Sequence, residues 1–412
     1  MDAVVLDVVK LLGVFFIIIT VMWLGKTLML AMVITSVGTI LLYQIPAGVA
    51  WKTIWKGATS WTTIQPLLVF YTITFLQRMM EKRKDLSNCQ IAMNGLFNNR
   101  RINVSIVPFL LGCLPAASTV LICGPIVRDS VGNYLAADEK AAITSYFRHI
   151  SESFLPTYTT IFIALELTNG AVSASSFILT MLPMVILLFF TGYIIYLRKI
   201  PKDTGMKSDL PKRYYWELLV KSVWCIALAI AIILIFHLPV YIAVFICITF
   251  NFFVNKFSFL EVQPFFRTAF EKRLMLSTWL VMIFKEILGA TGVINKLPQF
   301  FSLLPIPTYM LFSLIFFLGT VVAGSQAMIV LCMPMVMASL NGGNVLPMFI
   351  LLMCMNYIAM QLSPVHICLT MCAEDYRISL GQLIIKTMPM VIVFSAFSFM
   401  YYFFLTGLSF KW

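Results

Sequence analysis

Apolar residues run through this chain in long segments, and polar residues collect in the short stretches between them. Segments of roughly 20 apolar residues, the length an α-helix needs to cross a bilayer, fall at about 4–24, 26–45, 61–78, 141–167, 172–197, 214–236, 239–256, 274–292, 345–373 and 380–406. This pattern predicts an all-α polytopic membrane protein with about 10 transmembrane helices. Residues 79–101 are predicted to form an amphipathic helix at the membrane surface.

Two further apolar stretches, 102–131 and 303–340, are interrupted near their middle by Gly, Pro and small polar residues. The basic loops that follow Arg78 and Arg198 should both be cytoplasmic by the positive-inside rule. The spans 141–167 and 172–197 already return the chain to that side, so 102–131 must enter and leave the membrane on one side. We therefore predict two re-entrant hairpins, with tips at "LPAAST" (114–119) and "VVAGSQA" (321–327).

An internal repeat supports this count. Helix breakers recur at an offset of about 208 positions, as the pairs Pro125 with Pro334, Pro156 with Pro364, and Pro183 with Pro389. Each half, 1–200 and 212–408, would then hold five spans and one hairpin, 102–131 or 303–340. Because five is odd, the second half starts on the opposite side of the membrane from the first. The sequence thus predicts an inverted-topology repeat, an architecture found in many secondary transporters.

Composition and charge agree with a lipid environment. The chain is 61% hydrophobic and 11% charged, which is too few charges to cover a water-exposed surface. The net charge of +12 comes from Lys and Arg between the apolar segments, so it indicates membrane orientation and not nucleic-acid binding. We expect a multi-pass protein of the cell inner (cytoplasmic) membrane. The nine Cys are scattered singly and are interpreted as core residues.

Four breaks are candidates for one binding site: the two hairpin tips and the unwound segments "SESFLPTY" (151–158) and "QLSPVH" (361–366). Helix N-termini aimed at one cavity favour an anion, and Ser118, Ser325 and Ser363 are placed to cap such helices. The alternative is that Gly, Pro and Ser only kink and pack membrane helices. The predicted substrate-binding residues are Pro115, Ala117, Ser118, Thr119, Ser153, Pro156, Thr157, Gly324, Ser325, Gln326, Asn356, Ser363 and Pro364.

Ionisable residues near two of the breaks are candidates for carrying a coupling ion or proton. Arg148, His149 and Glu152 precede the break at 156, and His366 follows the break at 364. Intramembrane ionisable groups are costly and often mark a pathway. Arg148 and Glu152 could equally form a structural pair, and His366 a satisfied interhelical histidine. Zinc-protease, serine-hydrolase and Walker motifs are missing from the sequence, so we expect no catalytic residues, no cofactor and no metal site.

The segments "SYFRHISESFLPTY" and "QLSPVHICLTM" resemble signatures of an uncharacterised family of ten-span integral membrane proteins. That domain-of-unknown-function family is grouped with the ion transporter superfamily and is distantly similar to gluconate, citrate and C4-dicarboxylate permeases. The resemblance implies hairpins and unwound spans around a substrate site, movement by an elevator-type mechanism, and a homodimer as one possible assembly. The hairpin tips depart from the Ser-Asn-Thr motifs of sodium-coupled dicarboxylate members.

These observations predict a secondary active transporter of a small organic anion such as a carboxylate, coupled to H⁺ or Na⁺. Its partners would be that anion, the coupling ion and the lipid bilayer, with no nucleic acid. A cation/proton antiporter that uses Glu152 is the first alternative, and an intramembrane enzyme is a more remote one.

Overall fold

The computed structural model describes residues 2–24, 26–97, 99–113, 119–202, 210–296, 305–340, 343–364 and 366–409, which are almost entirely helical. The first half contains α1 (Asp2–Trp23), α2 (Leu28–Leu42), α3 (Ala47–Thr59), α4 (Trp61–Lys82), α5 (Asp85–Leu96), α6 (Arg100–Gly112), α7 (Thr119–Val131), α8 (Ala137–His149), α9 (Thr159–Leu167) and α10 (Ala174–Ile195). The second half contains α11 (Lys212–Phe236), α12 (Val240–Val254), α13 (Phe259–Thr268), α14 (Lys272–Ala290), α15 (Thr308–Ala323), α16 (Ser325–Ser339), α17 (Val345–Met360), α18 (Ile367–Asp375) and α19 (Leu380–Ser409).

Within the described residues, three segments are long and apolar enough to cross a membrane by length and composition: Ala174–Lys199, Lys212–Phe236 and Leu380–Gly407. Their outward faces carry large apolar side chains, with Ile186 67%, Ile235 68% and Ile392 63% exposed. Apolar surface on this scale is typical of a protein that faces lipid. The predicted all-α membrane protein is confirmed at this level. The number of spans and the re-entrant course of the hairpins stay predictions.

Two short helices were not predicted. The basic stretch 256–273, between the predicted spans 239–256 and 274–292, contains α13. Ser258 Oγ accepts a hydrogen bond from the backbone N–H of Glu261, and the Glu261 carboxylate accepts one from the N–H of Ser258 at 2.9 Å. This capping box starts a short amphipathic helix within the basic stretch. In α3, Trp51 and Trp55 are exposed, as in helices at a membrane–water interface.

The helix order repeats along the chain. The helices α15–α19 begin 206 to 208 positions after α6–α10, and α11–α14 begin 210 to 212 positions after α1–α4. The sets α6–α10 and α15–α19 have the same form. Each begins with two helices that form the arms of a hairpin, continues with one helix that is interrupted before a short continuation, and ends with one long helix. The helix starts of the two halves therefore follow the same spacing, and the inverted repeat itself stays a prediction.

The helices pack in two groups. In the first group, α2 and α3 contact α14, α4 contacts α12, and α5 contacts α11. In the second group, α8 and α10 contact α19, and the edge-to-face rings of Phe177 and Phe349 join α10 to α17 at 5.5 Å. The two halves also contact each other. Helix α7 of the first half packs on α18 of the second half, and α16 of the second half packs on α9 of the first half. The breaks all belong to the second group.

Candidate functional site

A cavity of about 490 Å³ lies where the helix breaks of both halves meet. Its walls include the ends or starts of α8, α9, α15, α16 and α18. Residues of the second helix group that line it are Arg148, Glu152, Tyr158, Thr159, Thr160, Thr320, Ala323, Gly324, Ser325, Gln326, Ala327, Met360, Ser363, His366, Ile367 and Cys368.

The break between α15 and α16 is at Gly324, inside the segment 321–327 where the sequence predicted a hairpin tip. Gly324 has φ +85°, a backbone conformation that side chains disfavour, so glycine is required for this sharp change of direction. Gly324 itself is the N-cap residue of α16, and Ser325 is the first helical residue. The prediction that Ser325 caps the helix was wrong. Its buried Oγ has no hydrogen-bond partner among the described residues.

The unwound segment of the second half is hydrogen-bonded to this hairpin. Ser363 Oγ donates a hydrogen bond of 2.8 Å to the carbonyl oxygen of Val321, near the end of α15. The following helix, α18, begins at Ile367 with His366 as its N-cap. The prediction that Ser363 caps this helix was therefore wrong, because its hydroxyl bonds to another element. Pro364 is exposed and does not line the cavity.

The interruption in the first half, between α8 and α9, is longer than the interruption before α18 in the second half. After α8 ends at His149, a 3₁₀ turn covers Ile150–Ser153, and α9 begins at Thr159. Ser151 Oγ donates to the carbonyl oxygen of Arg148 at 2.9 Å, and Tyr158 donates its hydroxyl hydrogen to the carbonyl oxygen of Gly112. These bonds hold the interruption against the end of α6.

Several predicted residues lie beside the cavity without lining it. Ser153 Oγ donates to the carbonyl oxygen of Ile150 at 2.7 Å. Pro156 and Thr157 border a separate cavity of about 40 Å³. The Asn356 amide oxygen accepts a hydrogen bond of 3.0 Å from Thr320 Oγ1. The predicted residues Pro115, Ala117 and Ser118 lie outside the described residues.

Arg148 links the first hairpin to the interruption that follows α8. Its side chain is 1% exposed, and it forms an ion pair with Glu152, whose side chain is 8% exposed. Its Nε donates a hydrogen bond of 3.2 Å to Oγ1 of Thr119, the first residue of α7. The guanidinium also lies over the ring of Tyr158, at 6.0 Å from its centroid. The predicted pairing of Arg148 and Glu152 is therefore present, and both residues line the cavity. Their role in carrying a coupling ion stays a prediction.

The two predicted histidines meet although they are far apart in sequence. His149 Nε2 lies 3.0 Å from His366 Nε2, and His149 Nδ1 donates to the carbonyl oxygen of Ser145 at 2.5 Å. The Glu152 carboxylate and the Cys368 thiol complete a cluster in which four side-chain atoms lie within 4.8 Å of one another. The site thus joins residues of the two halves through direct contacts.

Helix N-termini contribute partial positive charge to the cavity wall. The first residues of α9, α16 and α18 line the cavity, and the first residue of α7 contacts Arg148. Each helix start carries backbone N–H groups without intrahelical partners and a partial positive charge. The ion pair of Arg148 and Glu152 is neutral as a unit. The arrangement therefore favours a small anion held by N–H groups, hydroxyls and the guanidinium.

Sequence reasoning missed several lining residues. Tyr158, Thr159 and Thr160 adjoin the predicted break, and Cys368 was taken for a core residue. Lys26 and Glu271 come from the first helix group, and no local sequence signal connects them with the breaks. Only the rule that small polar residues cluster around an unwound segment could have suggested the threonines.

Comparison with known proteins gives a family and no function. No curated protein matches the chain. The profile of a family described as "Protein of unknown function (DUF401)" matches residues 8–404. The resemblance to an uncharacterised membrane-protein family is confirmed to this extent, while the wider grouping with ion transporters stays a prediction. Since the match covers nearly the whole chain, this protein belongs to the DUF401 family.

Proposed function

We propose that this protein is a secondary active transporter of a small organic anion such as a carboxylate, coupled to H⁺ or Na⁺. The observation that carries the proposal is the convergence of the helix breaks of both halves on one cavity. Broken helices are tolerated inside a membrane only where their freed backbone groups face protein or a water-filled cavity. In transporters built from repeats, such breaks surround the substrate.

The chemistry of the cavity supports an anion. The starts of α9, α16 and α18 face it with free N–H groups, and the hydroxyl of Ser325 has no hydrogen-bond partner among the described residues. Arg148 lies beside these groups and is held in place by Thr119 and Glu152. A carboxylate would satisfy N–H and hydroxyl donors together, because each of its oxygens accepts two hydrogen bonds.

The arrangement of the helices supports movement by an elevator-type mechanism. The second group, α6–α10 and α15–α19, contains all the breaks and packs mainly within itself, and the remaining helices form the first group. Lys26 and Glu271 of the first group line one side of the cavity. Displacement of the broken-helix group along the other group would expose the cavity to the two sides of the membrane in turn. The inverted repeat of about ten spans and two re-entrant hairpins belongs to the same proposal.

Uptake by the purified protein in liposomes tests the proposal. A thermal-shift screen of mono-, di- and tricarboxylates first selects a ligand, because an anion at 100 times its Kd stabilises the folded protein by about 2.7 kcal/mol. We expect the selected anion to accumulate when an inward H⁺ or Na⁺ gradient is imposed, and the accumulation to stop when an ionophore removes that gradient. Liposomes without protein are the control.

Three results would contradict parts of this proposal. Uptake that is unchanged in Ser118→Ala, Ser325→Ala and Ser363→Ala variants would exclude the assigned site. A failure of every carboxylate to accumulate under either gradient would exclude the function. Steady single-channel currents would indicate a pore instead of alternating access.

A cation/proton antiporter that uses Glu152 is the second candidate. The observation in its favour is that Glu152 places a nearly buried carboxylate at the cavity, next to His149 and His366. In this case a cation gradient alone would move protons through the protein without any organic anion. Loss of all transport in Glu152→Gln would favour the antiporter, whereas an anion transporter coupled through Glu152 should keep anion exchange that does not depend on the gradient.

A further inference from the structure

Four side chains at the cavity wall form a group with the composition of a metal site. They are His149 at the end of α8, Glu152 in the 3₁₀ turn, His366 before α18, and Cys368 in the first turn of α18. One nitrogen, oxygen or sulfur atom from each lies within 4.8 Å of the other three. The group takes two ligands from each half of the chain, so it forms only when the two interruptions are in contact.

We propose that these four side chains bind a divalent transition-metal ion of the Zn²⁺ class. Two imidazoles, a thiolate and a carboxylate are the ligand types that Zn²⁺ takes in four-coordinate protein sites. Mg²⁺ and Ca²⁺ prefer oxygen ligands alone, so this set selects against them. The assignment goes beyond the proposed anion transport and does not depend on it.

The geometry of the histidines supports coordination. His149 Nδ1 donates its hydrogen to the carbonyl oxygen of Ser145 at 2.5 Å, which leaves the lone pair of Nε2 directed at His366. A hydrogen bond from the second ring nitrogen to a backbone carbonyl is the usual support of a metal-bound histidine. Two imidazole nitrogens on one tetrahedral Zn²⁺ are about 3.3 Å apart at ordinary bond lengths, close to the 3.0 Å between these Nε2 atoms.

Arg148 and Cys368 determine the charge balance. Arg148 pairs with one oxygen of the Glu152 carboxylate, and the second oxygen is left for the cation. Binding would convert the Cys368 thiol to a thiolate and release its proton to the water of the cavity. The thiolate offsets one of the two charges of the ion, so the site gains one net positive charge. Glu152 is shared between the ion and Arg148, which acts as an outer-shell partner that orients the carboxylate.

An entry path exists for the ion. Glu152, His366 and Cys368 all line the 490 Å³ cavity, whereas His149 lies behind them and is fully buried. An ion that enters through the cavity would meet Glu152, His366 and Cys368 first and would then bind His149 as its fourth ligand. A bound cation would also add positive charge to the wall that is proposed to hold an anion.

Cobalt binding to the purified full-length protein in detergent tests the proposal. After treatment with a chelator, the protein is titrated with Co²⁺, which reports tetrahedral coordination through its visible spectrum and thiolate ligation through a charge-transfer band. We expect one equivalent to bind, with both signals, and to be displaced by Zn²⁺. Cys368→Ser should lose the charge-transfer band, and His366→Gln should weaken binding at least tenfold.

Matched variants control for general effects of substitution. Cys372→Ser changes a buried thiol on the same helix, and His237→Gln changes the histidine that bonds to Ser175 Oγ. Both should bind Co²⁺ like the wild type. The proposal is overturned if the wild-type protein binds no Co²⁺ at one equivalent, or if Cys368→Ser, shown monodisperse by gel filtration, keeps the thiolate band. In that case the two imidazoles form only a hydrogen bond.

Failure of this proposal and failure of the proposed function are distinguishable. Cobalt binding is measured in detergent without any gradient, and anion uptake is measured in liposomes after chelation. A protein that binds Co²⁺ but accumulates no carboxylate keeps the metal site and loses the transport proposal. The opposite outcome keeps transport and removes the metal site.

Discussion

The backbone of Gly112 lies directly against the carbonyl oxygen of Arg148, so closely that a Cβ at position 112 would overlap that oxygen. The same Cβ would lie 2.5 Å from Ser151 Oγ. Gly112 is the last residue of α6, and its own carbonyl oxygen accepts the hydroxyl hydrogen of Tyr158. The end of the first hairpin arm and the interruption after α8 are therefore packed backbone to backbone.

This contact predicts that Gly112→Ala is destabilising. The overlap is with backbone, which cannot rotate away, so we expect a loss of about 1–3 kcal/mol, the usual cost of overpacking. Thermal melting in detergent measures it. Gly289→Ala is the matched control, because nothing lies within 4 Å of a Cβ at that helical position. There alanine should be neutral or stabilising by roughly 0.5–1 kcal/mol. Equal melting temperatures for the two variants would contradict the packing described.

Ser325→Ala and Ser363→Ala should separate binding from stability. Ser363 Oγ bonds to the carbonyl oxygen of Val321, so its loss should lower stability by about 1 kcal/mol. Ser325 Oγ has no such bond within the described chain, and its removal should leave the melting temperature unchanged. The selected carboxylate should nevertheless raise the melting temperature of Ser325→Ala less than that of the wild type. An unchanged ligand-induced shift would remove Ser325 from the site.

Arg148→Lys should weaken anion binding although the charge is kept. The guanidinium donates to Thr119 from Nε and to Glu152 from a terminal nitrogen, and a lysine ammonium cannot reproduce that fork. We expect at least a roughly tenfold rise in Kd, equivalent to about 1.4 kcal/mol. Titration of the ligand by thermal shift or calorimetry measures it. A Kd within twofold of wild type would show that position 148 contributes only charge.

Tyr376→Phe should loosen the contact between α7 and α18. The Tyr376 hydroxyl donates to the carbonyl oxygen of Gly124 at 2.9 Å and lies 2.7 Å from Thr144 Oγ1. Its loss leaves the Gly124 carbonyl oxygen and the Thr144 hydroxyl without this buried partner, which costs about 1–3 kcal/mol. Tyr214→Phe, on an exposed ring, is the control and should melt with the wild type. If the two variants melt alike, the hydroxyl does not hold the halves together.

Much of the fold could be predicted from apolar segments and helix breakers. The helices α10, α11 and α12 begin within two residues of the predicted segments, because each is a continuous apolar run with a Pro or Ser at its start. The short helix α13 could not be found in this way. It is an amphipathic helix of 10 residues that starts at the Ser258 capping box, so a search for runs of about 20 apolar residues does not find it.

The site was less predictable than the breaks. Gly and Pro mark where a helix stops, but the direction of each side chain after the break depends on backbone angles that have no fixed period. For this reason Thr157 was chosen, although its neighbour Tyr158 lines the cavity. The contact between His149 and His366 depends on how two distant segments pack, and a lone Cys368 in an apolar run has the pattern of a core residue.

The exchanged packing of the two halves, with α7 on α18 and α16 on α9, has a consequence for the origin of the chain. Neither half encloses the cavity alone, because the second hairpin arm of each half, α7 or α16, packs on a helix of the other half. With the proposed opposite orientations, a half-length ancestor would have built this cavity only as a dimer of oppositely inserted copies. Fusion of two such copies would then have made the pairing permanent and left each copy free to carry side chains of its own.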